Sequence, residues 1–122
     1  MNTVQSDLER ARTQAQQLQQ KIEAAAAKDQ AGMRADMAQL ADKARQLGDS
    51  LKTASNGQRA DAQDHVQKAR AALEDASARA KAAATAAAAD VKSASEAARE
   101  RVRQAVAQLT DAVAIQRSKA RA

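Results

Sequence analysis

The sequence predicts an all-α chain: a long antiparallel helical hairpin, a two-stranded coiled coil able to dimerise into a four-helix bundle. Three observations predict it. The 122 residues contain no proline and no aromatic side chain, and strong helix formers such as Ala, Gln, Arg, Lys, Glu and Leu dominate. Apolar residues recur in alternating steps of four and three, the period of a coiled-coil seam. Asn56-Gly57 is the only strong turn dipeptide. It lies near the middle, where a reversal lays one half of the chain on the other.

The first helix is predicted over residues 3–54. Ser6 with Glu9 has the spacing of a capping box near its start, with Thr3 as a competing cap. Its apolar stripe runs Val4, Leu8, Ala11, Ala15, Leu18, Ile22, Ala25. The steps then become four, four and four through Asp29, Met33 and Met37, a stutter that locally unwinds a supercoil. Alternation resumes at Leu40, Ala44, Leu47 and Leu51. The turn is predicted at 55–58 and a second helix at 59–118, giving one helical domain over 1–122. In this hairpin Val4 faces Leu109, Ile22 faces Val91, Leu40 faces Leu73 and Leu47 faces Val66. Large side chains oppose small ones along much of the seam, which suits interdigitation. An alternative folds each arm once more, at breaks near 29–32 and 85–93, to make a monomeric four-helix bundle.

Composition limits the core. The chain has 36 alanines and only 18 Val, Leu, Ile or Met. Burying one of these larger side chains contributes roughly 1.5–3 kcal/mol, and an alanine much less. Such material suits helices packed closely on one another. There is no cysteine, hence no disulfide and no thiol chemistry. No apolar run reaches the roughly 20 residues that span a bilayer. The start MNTVQSDLER lacks the basic and apolar segments of a secretion signal. A cytoplasmic protein is the expectation.

Chemistry-bearing residues are few. His65 is the only histidine, with Asp61 and Asp64 at helical spacing behind it. A structural metal takes about four ligands, and no cysteine or second histidine supplies the rest. A solvated helix start with favourable acids is the expected reading. Met33 and Met37 are expected to fill the gap at the stutter. Asp64–Lys68 and Asp75–Arg79 are i,i+4 pairs of a wet outer face, as are the mixed charges around Glu96 and Glu100. No catalytic, cofactor or metal residue is assigned, and an enzyme is not expected.

The C-terminal end carries the remaining signal. In the hairpin alignment, residues from about Thr110 onward overhang the N-terminus. Val113 and Ile115 then lack a partner from the first arm, and Arg117, Lys119 and Arg121 follow without a nearby acid. These five are the candidate interaction residues, for an acidic surface or a second copy of the chain. The formal net charge is +5, most of it in the second half.

The function expected first is a non-enzymatic structural or interaction protein that self-associates, most simply as a dimer, with a protein partner also allowed. An alternative is a surface-active amphipathic protein. Val91, Val102 and Val113 recur every eleven residues in a proline-free, alanine-rich helix. Over residues 66–119 this composition resembles group 3 late-embryogenesis-abundant proteins, and is similar to granule-coating phasins. That resemblance implies stress protection or binding to lipid or granule surfaces. A weaker alternative is nonspecific nucleic-acid contact: the charge supports it, while the lack of aromatic rings disfavours stacking on single strands.

Overall fold

The computed structural model describes residues 3–54 and 60–121, with side chains described over 7–52, 62–87 and 89–115. Four helices follow one another: α1 (Thr3–Ala26), α2 (Gln30–Ala54), α3 (Ala60–Thr85) and α4 (Ala88–Arg121). The two continuous arms expected from the sequence are each interrupted once, at 27–29 and at 86–87. The arrangement is bundle-like, as in the alternative reading. Helix α1 packs on α2 and α4, α3 packs on α2 and α4, and α2 also meets α4. The turn expected at 55–58 lies outside the described residues.

Asp29 explains the first break. In a continuous helix it would sit on the apolar stripe and drive a carboxylate into the seam, which is costly. Here it stands just before α2, exposed, and its Oδ1 accepts the Gly32 backbone N–H at 2.8 Å. That is an N-cap bonding to the third helical residue. The Met33 N–H meets the Asp29 carbonyl at 2.9 Å, starting the helical ladder. Helix α1 closes tightly before it, with Ala27 and Lys28 donating to Ala24 and Ala25 three residues back. Lys28 reaches over the bend to Asp36 at 2.7 Å. The run of fours in the stripe therefore marks a change of helix, and a supercoil stutter is not needed to account for it.

The second break lies in the alanine run. Thr85 turns its hydroxyl back on the carbonyls of Lys81 and Ala82 at 3.3 and 3.4 Å, an alternative to continuing the helix. The Ala86 carbonyl beyond it accepts from Arg34 Nη2 at 2.8 Å. Arg34 belongs to the first turns of α2, so this bond ties the two bends together at one end of the bundle.

One shared core replaces the thin seam. Leu8, Met37, Leu51, Leu73 and Leu109 are fully buried, together with Ile22, Val66, Val91 and Val102. Alanines at 15, 25, 69, 83, 98 and 105 fill the spaces between them. The buried polar residues Ser77 and Ser95 are both satisfied. Ser77 Oγ donates to the Ala41 carbonyl at 2.8 Å across the α2–α3 contact, and Ser95 Oγ to the Val91 carbonyl at 2.7 Å. A two-helix seam leaves each large side chain half wet, whereas four helices enclose it.

The alignment of α2 on α3 differs from the expected one. Leu40 and Leu47 were expected opposite Leu73 and Val66. In the structure Gly48 lies against Leu73, Ala41 meets Ser77, and Arg34 reaches Ala86. Each first-half position thus meets a residue further along the second half. The approach does not require a glycine at 48: a Cβ built there would lie 3.7 Å from Leu73 Cβ, an ordinary contact. Gly32 is different: its Cβ would come within 3.1 Å of the capping Asp29 Oδ1.

Gly48→Ala is therefore expected to stabilise the protein by about 0.5–1 kcal/mol through helix propensity, measured by urea unfolding. Gly32→Ala gives no such gain because it crowds the cap. Asp29→Ala removes the cap itself and is expected to cost about 1 kcal/mol in the same assay.

Candidate functional site

The surface formed by α3 and α4 carries a set of ion pairs. Asp64 and Lys68 meet at 3.2 Å, and Arg79 meets Asp75 at 2.8 Å, as the i,i+4 spacing predicts. Asp75 also receives Arg101 from α4 at 2.7 Å, a link between helices that spacing within one helix does not reveal. Arg70 with Glu74 and Arg103 with Glu100 complete this face. His65, half-buried, hydrogen-bonds through Nδ1 to Gln108 Oε1 at 2.7 Å. Because an amide oxygen only accepts, Nδ1 carries the proton in that contact. The pair joins α3 to α4.

The groove between α1 and α2 differs from this paired face. The helices run antiparallel, and two adjoining depressions of about 320 and 330 Å³ lie along their junction. Lys21 of α1 and Lys43 of α2 border both depressions. Towards the end where α2 finishes, the lining adds Gln14, Gln17, Gln46 and Ser50. Towards the bend it adds Ala24, Gln39, Lys28 and Asp36. Leu18, Leu40 and Leu47 form the floor and are themselves buried.

The two lysines stand on opposite sides of the groove, and both border each depression. Neither has an acid three or four residues away on its own helix. The carboxylate that borders the depressions, Asp36, is held by Lys28. Among the described residues no carboxylate forms an ion pair with Lys21 or Lys43. Lys43 consequently gives up its proton more readily than an ordinary lysine. The hydrogen bond with Lys21 contributes most, then the Lys21 charge, then burial of the amine.

The C-terminal candidates are placed as follows. Val113 is not an unpartnered apolar side chain: it is 1% exposed and belongs to the common core. Ile115 is half-buried. Neither side chain therefore projects as the bare overhang expected from the hairpin alignment. Helix α4 runs on to Arg121, but the side chains of Arg117, Lys119 and Arg121 lie outside the described ones. The Lys21–Lys43 pair was not singled out in the sequence. Twenty-two residues separate the two, and only the fold-back at 27–29 makes them neighbours.

No protein-family model matches the chain, and no curated protein or solved structure matches it either. Among the described residues, no helix is long and apolar enough to cross a membrane.

The lysine repulsion has a consequence for stability. A lysine with a lowered folded-state pKa penalises folding at every pH below that pKa, where both folded and unfolded states carry the proton. The penalty fades as pH rises through it towards the ordinary value of 10.5. Lys43→Gln is thus expected to raise the urea midpoint at neutral pH, with an advantage that shrinks as pH nears 10.5. Unfolding curves at neutral and alkaline pH measure both parts.

Proposed function

We propose that the chain is a non-enzymatic interaction protein that binds an acidic polypeptide segment along the groove between α1 and α2. The observation that carries this reading is the pair Lys21 and Lys43, facing each other without a neutralising carboxylate. Unbalanced charge in a concave surface attracts ligands of opposite sign and speeds their encounter. The groove is elongated, open and polar at its rim, which suits an extended or helical segment laid between two helices. The net charge of +5 acts in the same direction at longer range.

Self-association is not required by this reading. That expectation rested on two-helix arms that would have to pair to cover their apolar stripes. Here a single chain encloses Leu8, Met37, Leu73 and Leu109 by itself.

A fluorescent polyglutamate peptide tests the proposal by anisotropy. Binding is expected at low salt, weakening with salt as exposed charge is screened. The Lys21→Gln/Lys43→Gln double variant is expected to lose several-fold in affinity. The charge-matched Lys68→Gln/Lys81→Gln variant on α3 is expected to bind nearly as well as the parent. Equal losses in both variants would reduce the effect to bulk charge and defeat the groove assignment. Binding to anionic vesicles with gain of helix, without peptide binding, would instead favour the surface-active alternative.

A further inference from the structure

The chemistry of the lysine pair narrows the group that occupies it. Two ammonium groups bordering the same depressions repel, and a single carboxylate cancels only one of the two charges. A phosphate monoester carries about −1.5 to −2 at pH 7 and offers three strong acceptor oxygens. One such group bridges both amines with charge-assisted hydrogen bonds, and oxygens remain to be satisfied. The adjoining lining suits that remainder: the amides of Gln17 and Gln46 stand on one side of the pair and that of Gln39 on the other. Amides donate without adding charge. The bordering carboxylate that would repel a dianion, Asp36, is masked by Lys28 at 2.7 Å. Lysine is a compact point charge on a flexible stem, able to follow a tetrahedral anion without a fixed fork geometry.

We infer that Lys21 and Lys43 anchor a phosphate group carried by the polypeptide segment that lies in the α1–α2 groove. This rests on the groove-binding reading and adds the chemical class of the anchoring group. The site lies between two helices along a concave strip, so a protruding phosphorylated side chain enters it more readily than the flat face of a bilayer. Bound phosphate also removes the cause of Lys43's weakened hold on its proton, because a dianion beside the pair favours both charged amines. Occupancy and the titration of Lys43 are therefore linked, and each reports on the other.

The test uses the full chain with isotope-labelled lysine side chains, followed by NMR. Inorganic phosphate is titrated in at constant ionic strength held by chloride. The Lys21 and Lys43 signals are expected to shift saturably, and the Lys43 titration midpoint to move up towards that of an ordinary lysine. Lys68 and Lys81 are expected not to respond. Lys43→Gln, a change at an exposed position, is expected to abolish the Lys21 response. A phosphoserine peptide is expected to bind several-fold more tightly than the same peptide with glutamate, and its unphosphorylated serine form to bind weakest. Shifts no larger than chloride produces, or a Lys21 response that survives Lys43→Gln, would overturn the anchor. Equal binding of glutamate and phosphoserine peptides would overturn the phosphate assignment and leave groove binding intact. Failure of both peptides would overturn both readings. Shifts produced by phosphatidate vesicles but not by the phosphopeptide would overturn the assignment to a polypeptide.

Discussion

The structure depends on a shortage of large apolar side chains. Eighteen Val, Leu, Ile and Met residues must stabilise 122 residues without help from a ring, a disulfide or a proline. Spread along a two-helix seam, each would keep one side in water. Gathered by four helices, fourteen of them are buried, and the alanines between them let the backbones come close. The gain from enclosing Leu8, Met37, Leu73 and Leu109 scales with the apolar area removed from water. Two extra bends cost only a few backbone hydrogen bonds, most of which are replaced at the bends themselves.

Those replacements show how the bends are held. At the first, Asp29 supplies a side-chain acceptor where the ladder has none, and Lys28 and Asp36 close over it. At the second, Thr85 folds its hydroxyl back and Arg34 supplies a donor from another helix. The Arg34 bond makes the two bends mutually dependent: the second is finished by a residue that the first has positioned. Polar residues thus act where helices end, while Ser77 and Ser95 occupy the core only because backbone carbonyls accept from them.

The same folding event creates the groove. Turning α1 back on α2 brings their flanking side chains face to face along the whole contact. Between α3 and α4 such a meeting joins opposite charges, as Asp75 does with Arg101. Along α1 and α2 the flanking residues are mainly glutamines and lysines, so the meeting leaves positive charge without a partner. A protein that only needed to stand alone gains nothing from Lys21 against Lys43, since the contact opposes folding.

The sequence by itself determined the helical character of the chain, the identity of its buried faces and the i,i+4 ion pairs of the outer face. These follow from local geometry: a period near 3.6 residues places each side chain relative to its own axis, whatever else the chain does. Leu18, Ile22, Val66 and Leu109 are inside for that reason. The sequence did not determine which faces meet. A heptad stripe looks the same after a slide of one or two turns, and alanine tolerates many partners, so pairing Leu40 with Leu73 was as acceptable on pattern as placing Gly48 there. Asp29 could be read as a flaw in a seam or as a cap on a new helix. Only the assembled bundle decided, because the benefit of a fourfold core is shared by residues far apart in the chain and appears in no local window. Lys21 facing Lys43, and Val113 drawn into the core, belong to that decision alone.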